Sequence, residues 1–548
     1  MAKARPEGRL RSGFSLGEEQ AELDSLLEAA FYESGHYSII SSHGDNRCFV
    51  VARTGGGKSA ALRHLQQVNG DGVVKIDPGD ISLLYFSTSN VLKYLSDLQV
   101  HLDPFFIALW KHVLVVELIR RRYKIDSDEA KSGIWAGLVE RLRRDKSKQL
   151  ALDYFNDFEG RFWDDTDVRL RAITTRLEKK IDATRSGDVG ASGVAHIAAG
   201  ETASAGEMIE ERIELAKKFQ AIVNETQLSR LTKMIDILDE DILDSEENRM
   251  FIVIDDLDRD WIDHRVVNDL IRCLLLTVLD LQRVRNLKVL VALRTNIFSQ
   301  LDFGRAGAQE EKLRALVLQM KWSKHELVAL LDERVKVAAE KVGREHIGGI
   351  KDLLPPKSRR RGAALDFILG RTLMRPRDAM AYLNECLAQS AGKPRLTWNV
   401  ILGAEDPYSY KRLLALRDEW KLTYPGIDRV FALFQGELMP MRRDAYLKHL
   451  GDALLLHLDE TFDGSTWMTS LSTRMWDPPE TDWRQIYHPL HELLFRVGFI
   501  GFSRTPGQGV VYAHEDMDYG SSIGNLRDAS LFCVHPTFHA ALEIKTPS

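Results

Sequence analysis

A chain of 548 residues with 74 Lys and Arg against 80 Asp and Glu has a formal net charge of −6; it is long enough for more than one domain with its own core, and it has no global positive field that would draw it onto nucleic acid or anionic lipid. Its four cysteines, Cys48, Cys273, Cys386 and Cys533, show no CxxC spacing, which argues against a zinc ribbon or a disulfide framework and suits a reducing compartment. The basic first residues lack the apolar stretch of a signal peptide, and the longest apolar candidate, 104–119, is interrupted by Lys111, His112 and Glu117 and is too short to span a bilayer, so the expectation is a cytoplasmic protein with no membrane attachment.

In chain order, residues 18–32 carry Leu23, Leu26, Leu27 and Ala30 at helical spacing and predict a leader helix, followed by a turn around Gly35 and 43–45. Residues 46–67, NRCFVVARTGGGKSAALRHLQQ, then read as strand, glycine loop and helix. Cys48 to Val51 is the apolar run of a central parallel strand. Thr54 leads into Gly55, Gly56 and Gly57, which remove every Cβ from the turn so that backbone N–H groups can converge on phosphate oxygens. Lys58 stands where an ammonium reaches the β- and γ-phosphates, the Ser59 hydroxyl is placed for Mg²⁺, and Ala60 continues a helix whose N-terminal dipole faces the anion. The full P-loop pattern wants Gly at Ala52, a position that ends the strand and tolerates a methyl group. The plain alternative is a glycine-rich surface turn before an ordinary helix.

Val73 to Ile76 predicts a second strand, closed by a turn at 77–80. Asp103 to Tyr123 predicts a long amphipathic helix ending in Arg120, Arg121 and Arg122, a solvated end that complements the dipole. Residues 125–244 carry no parallel-strand signal and read as a helical insertion, with a Gly/Ala/Ser tract at 186–206 too poor in large apolar residues to order itself. Phe251 to Ile254 is a buried strand ending in Asp255 and Asp256. Carboxylates at the carboxyl end of a strand meet a phosphate-bound Mg²⁺, which makes Asp255 the metal partner and Asp256 the residue that polarises water, although it is shorter than the Glu many ATPases use. An acidic helix cap is the plain alternative. Lys288 to Leu293 predicts another strand, running into Arg294, Thr295 and Asn296; Arg294 and Asn296 are the candidate sensors of the γ-phosphate and the attacking water.

Beyond Gln319 the text is helical: 324–342, a loop at 353–362 with the exposed run Lys357 to Arg361, a helix at 364–373, and Arg375-Pro376-Arg377-Asp378 opening the helix 379–388. Proline suits a first turn, and it plants Arg375 and Arg377 where cations cost energy unless an anion approaches. They are candidate phosphate sensors from a lid.

With these motifs the chain resembles AAA-related P-loop ATPases of the STAND and KAP type, on GGGKS at 55–59, FIVIDDLDR at 251–259, ALRTN at 292–296 and RPRD at 375–378. The resemblance covers roughly residues 9–399. It implies an ATP-hydrolysing, Mg²⁺-dependent switch of the kind tied in bacteria to defence against phage, without the transmembrane helices of many KAP relatives. An arginine finger given in trans by Arg259, Arg305 or Arg377 would require an oligomer.

Past Asn399 the resemblance fades. Residues 406–436 are helical, Pro478-Pro479 marks a boundary, and 482–502 predict helices. A hairpin of 499–502 with 510–514 about the turn 505–509, and a strand and helix in 532–542, suggest a winged helix. Its basic residues are few: Arg484, Arg496, Arg504 and Arg527. The pairs His488 with His491 and His535 with His539 have zinc-like spacing, but the prolines after the first members favour caps of helix starts. The expected fold class is α/β: 1–124 leader and first part of a P-loop core, 125–245 helical insertion, 246–320 second part of the core, 321–405 helical lid, 406–479 helical region, 480–548 winged-helix-like. The expected partners are ATP and a second copy or an effector protein, with little or no hydrolysis and a scaffolding or DNA-binding role as the alternative. DNA contact, the lesser reading, would run through 120–124, 141–148 and 357–361 and would be steeply salt-dependent.

Overall fold

The computed structural model describes residues 10, 13–77, 98–123, 228–257, 264–301, 310–344, 346–477, 482–505 and 507–547, with single positions between 95 and 221. The turn at 78–80, the body of the 125–245 insertion with its 186–206 tract, the basic run 141–148, Lys124, Arg259, Arg305 and Pro478-Pro479 lie outside these residues. The chain forms two compact units. One comprises 35–53 and 61–320, the other 1–34, 54–60 and 321–548.

The first unit is built on five parallel strands in the order β2-β3-β4-β1-β5, with β1 Phe49–Ala52, β2 Val73–Ile76, β3 Met250–Ile254, β4 Leu287–Arg294 and β5 Val317–Gln319. FVVA and MFIVI are buried at every position, as strands covered on both faces must be. Four of these strands stand where the apolar runs put them, within a residue or two. The short edge strand β5 has no such run and comes as an addition. The helices are α1 Gly35–Ser41, α2 Lys58–Asn69, α3 Asp103–Tyr123, α4 Leu228–Ile237, α5 His264–Leu281, α6 Thr295–Gln300 and α7 Glu310–Ala315.

α3 has the predicted bounds but not the predicted character. Phe105, Phe106, Trp110, Val113, Leu114 and Val116 are buried together with Lys111 and His112, because the helix packs on α5, α4 and β2 at once and is apolar nearly all round. Its polar groups are matched: Lys111 pairs with Asp280 at 2.7 Å, and the buried Arg272 holds Asp103 through two bonds of 2.6 and 2.8 Å. The basic end is paired as well, Arg120 with Glu117, Arg121 with Asp71, and Arg122 with the Asn248 side chain. In β4, the buried Lys288 donates to the Ile39 and Ser42 carbonyls at 2.5 and 2.6 Å, tying down the C-terminal end of α1. Gly35, expected in a turn, starts that helix.

The second unit contains α8 Lys324–Lys341, α9 Ile350–Leu353, α10 Ala364–Leu369, α11 Pro376–Ala388, α12 Trp398–Trp420, α13 Ile427–Ala432, β6 Met441–Arg442, α14 Arg443–Leu454, α15 Ser465–Ser472, α16 Trp483–Arg496, β7 Ile500–Ser503, α17 Ile523–Asp528 and β8 Leu531–Val534. α8 opens with a capping box between Ser323 and Glu326. One core joins α8 to α12 with Leu10, Phe14, Leu16 and Leu26, and a second lies under the antiparallel sheet β6-β8-β7.

Four expectations are corrected here. The leader helix at 18–32 is a series of turns: Leu23 is exposed, while the buried Asp24 accepts the Leu26 N–H at 3.0 Å and pairs with Arg334, so its carboxylate competes with helix formation. The helix expected over 364–373 stops at Leu369, since Asp378 draws the Leu373 N–H into a loop at 3.1 Å. The partner of β7 is β8 rather than 510–514, which meets Phe502 only through a single bridge at Val511. Finally, Asp482 caps α16, so His488 and Pro489 lie inside that helix and not at its start. His491 is buried, its Nδ1 2.9 Å from the Tyr446 hydroxyl. The cap expected of His535 is present, its side chain accepting the Thr537 N–H at 3.2 Å.

Candidate functional site

β1 ends at Ala52, and the chain passes directly into the glycine loop. Gly55 and Gly57 adopt φ of +79° and +95°, the left-handed region that residues with a Cβ avoid. The loop's carbonyls are held one after another. Arg375 donates from Nη1 to the Thr54 carbonyl at 2.9 Å, the Arg377 backbone N–H to Gly55 at 3.4 Å, and the Trp322 indole to Gly56 at 2.8 Å. In a trans peptide the C=O and the following N–H point in opposite directions. Fixing these three carbonyls therefore turns the amides of Gly55, Gly56 and Gly57 away from Arg375, Arg377 and Trp322. Lys58, buried to 9 % exposure, opens α2, and Ser59 and Ala60 are half-buried in its first turn.

Behind the loop lies an ionic cluster that no local motif announces. Arg375 contacts Asp378 at 2.9 Å and Glu419 at 3.3 Å, and Glu419 also accepts the Thr54 N–H at 3.4 Å. Arg412 reaches Asp378 at 3.4 Å and Glu19 at 2.8 Å, and the Arg377 side chain donates to the Glu19 carbonyl at 3.0 Å. Asp378 is fully buried. Burial alone would favour its neutral form, but Arg375 and Arg412 outweigh that and hold its pKa below the usual carboxylate range. Burial likewise works against the Arg375 charge, and Asp378 and Glu419 reverse the balance and raise its pKa. Burial, with Arg375 close by, lowers that of Arg377. For Arg375 the anion that the sequence demands at a helix start is thus supplied by the protein itself, as Asp378 and Glu419, whereas the Arg377 side chain meets the Glu19 carbonyl. As expected from RPRD, Arg375 is the N-cap of α11 and Pro376 its first residue.

In the first unit the remaining candidate residues stand at the carboxyl edge of its sheet. Ala52 of β1 is in register with Arg294 of β4, and Ile254 of β3 with Val291. β4 thus separates β1 from β3 by about 4.8 Å on either side. Asp255 and Asp256 follow β3 at once, both half-buried; Asp255 Oδ1 accepts the Asp256 N–H at 2.9 Å, and Asp256 stands at φ +60°. Arg294 is the N-cap of α6 and makes no side-chain capping bond; Asn296 is buried in the first turn, with Ser299 donating to its carbonyl at 2.9 Å. Glu419, Trp322, Glu19 and Arg412 were not foreseen. Trp322 alone had a local cue, lying just past a strand tip, whereas Glu419 is 365 residues from Thr54.

Among the described residues no three His, Cys, Asp or Glu side chains are grouped to hold a metal, and no helix is long and apolar enough to cross a membrane. A family described as the FunZ-associated C-terminal helical domain matches residues 325–417. That stretch includes Arg375, Arg377, Asp378 and Arg412 and stops two residues before Glu419. No curated protein and no solved structure matches the chain.

Proposed function

We propose that this protein is an ATP-binding and ATP-hydrolysing P-loop switch, acting with Mg²⁺ in the cytoplasm and serving in bacterial antiphage defence. The observation that carries this reading is the glycine loop, whose Thr54, Gly55 and Gly56 carbonyls are drawn back by Arg375, Arg377 and Trp322. The opposed amides would receive phosphate oxygens, aided by the N-terminus of α2 and by Lys58. Ser59 and Asp255 would hold the metal. Both are half-buried oxygen donors, the chemistry Mg²⁺ prefers, and the ion would neutralise charge developing on the transferred phosphoryl group. Asp256 would orient the attacking water, and Arg294 and Asn296 would sense the γ-phosphate. Arg375 acts as a positioning residue in this reading, because its guanidinium is shared between the Thr54 carbonyl, Asp378 and Glu419.

Switching follows from α12. Its last turn places Glu419 on the Thr54 N–H, and the next residue, Trp420, is buried in the C-terminal core. A nucleotide that shifts Thr54 therefore acts on that core through one helix end. The succession β6, α14 to α16, β7, α17, β8 with sheet order β6-β8-β7 supports a winged-helix-like module. We assign it a protein partner, since its basic residues are few and each lies beside a carboxylate that offsets its charge: Arg484 by Asp482, Arg496 by Glu492, and Arg504 and Arg527 by Asp528. The second reading, a nucleotide-gated scaffold with little turnover, is favoured by the shortness of Asp256. Calorimetric titration with ATP and Mg²⁺ tests the binding step. Lys58→Ala should weaken affinity by about tenfold to a hundredfold, the worth of a charged hydrogen bond, and equal binding by the two proteins would contradict the assignment.

A further inference from the structure

A cavity of about 190 Å³ in the second unit lies between the end of α12, α15 and α16. Its aromatic walls are Trp420, Tyr424 and Trp467. Tyr424 stacks on Trp420 with centroids 6.0 Å apart and meets Trp467 edge-on at 5.2 Å, and Trp467 is fixed by its indole donating to the Pro425 carbonyl at 2.9 Å. Glu492 and Arg496 stand at the rim, paired with each other at 2.5 Å. The volume is too small for a nucleotide or a drug-sized ligand. It suits one aromatic ring, given that an apolar cavity of about 150 Å³ takes up benzene.

The same unit carries a matching ring. After α15 the chain forms a single 3-10 turn, Thr473–Trp476, which packs against α16, the helix that supplies Glu492 and Arg496. Trp476 is 70 % exposed. Arg474 and Asp477 beside it are exposed too, and their side chains make no ion pair among the described residues. The projecting segment thus offers a cation, an indole and an anion, and the cavity offers an anion, an aromatic box and a cation.

We propose that this face is a self-association surface: Trp476 of each copy enters the aromatic cavity of a second copy of this chain, with Arg474 and Asp477 meeting Glu492 and Arg496 across the contact. Because the projecting turn packs on α16, which also lines the cavity, each copy carries both parts of the contact, and the reciprocal contact closes as a twofold dimer. A buried indole in an aromatic pocket is the type of residue that dominates such interfaces. The inference goes beyond the nucleotide reading and does not depend on it.

Sedimentation velocity of the full chain over a range of concentrations, with and without ATP and Mg²⁺, tests it. The parent should dimerise. Trp476→Ala, which removes an exposed side chain, should raise the dimer dissociation constant by about 30-fold or more, and Ser470→Trp, which plugs the cavity mouth, should do the same. Mixing the two variants restores one of the two contacts, so the mixture should associate more tightly than either alone. A parent that stays monomeric throughout would overturn the proposal and leave the cavity to an aromatic side chain of another protein or to a nucleic-acid base. An unchanged constant for Trp476→Ala, or a mixture no tighter than its components, would overturn it equally.

Discussion

A methyl group on residue 55 would sit 2.8 Å from the Arg377 Cβ and 3.0 Å from its Cδ, on backbone at φ +79°. Glycine is therefore required here by the close approach of Arg377, and in the proposed reading by that of a phosphate as well. Gly55→Ala should cost about 1–2 kcal/mol from the left-handed conformation alone and more from the contact with Arg377. Because that contact is what turns the Gly56 amide, ATP affinity should fall along with the melting temperature. Thermal melts and ATP titration of the same sample check this, and a variant with normal melting and normal affinity would show that Arg377 yields freely. The strand, glycine turn and helix of 46–67 were legible because each has a local signal, an apolar run, glycines at positive φ and a helix-forming stretch. The partners of Arg375 were not, since RPRD states only that a cation stands at a helix start, and the answering Glu419 comes from the far end of another helix.

At the level of elements, legibility followed the strength of the local signal. Apolar runs gave β1 to β4, and α3 was bounded by Asp103 and the three arginines. Where one polar side chain rearranges the backbone the pattern failed, as with Asp24 in the leader and Asp378 after α10. The hairpin at 499–514 failed for a different reason, because pairing of β7 with β8 across residues 504–530 is a tertiary choice that no short turn encodes. α16 yields a pH prediction. Burial, helped by His488, pushes the His491 pKa down to about 3, so the folded imidazole stays neutral while the unfolded chain takes up a proton near its ordinary pKa of about 6.5. The stability from this site is complete above that pH and is lost as pH falls, by about 2 kcal/mol between pH 7 and pH 5. His539, lowered to about 4 by burial, acts in the same direction. Urea unfolding followed by tryptophan fluorescence should show the loss in the parent and a smaller one in His491→Gln, which keeps an acceptor for Tyr446 and does not titrate. Equal losses in both proteins would remove His491 from the account.

Across the whole molecule, a charge of −6 and the pairing of Arg484, Arg496, Arg504 and Arg527 with carboxylates leave few cations for phosphate backbones. The exposed residues Arg359, Arg360 and Arg361 sit at the tip of a tight turn closed by Ser358 and Gly362 and form the one basic run of the second unit singled out by sequence. The central claim concerns turnover rather than charge: the chain is proposed to bind ATP at the glycine loop and to hydrolyse it with Asp256 orienting water. Single-turnover hydrolysis of radiolabelled ATP, with enzyme in excess and Mg²⁺ present, addresses it directly. The account predicts phosphate release well above the buffer rate by the parent, and by Asp256→Ala an undiminished ATP affinity with hydrolysis slowed about 10²–10⁴-fold, the usual worth of a positioned base. Release by the parent no faster than buffer, or an Asp256→Ala protein that turns over at the parental rate, would contradict it.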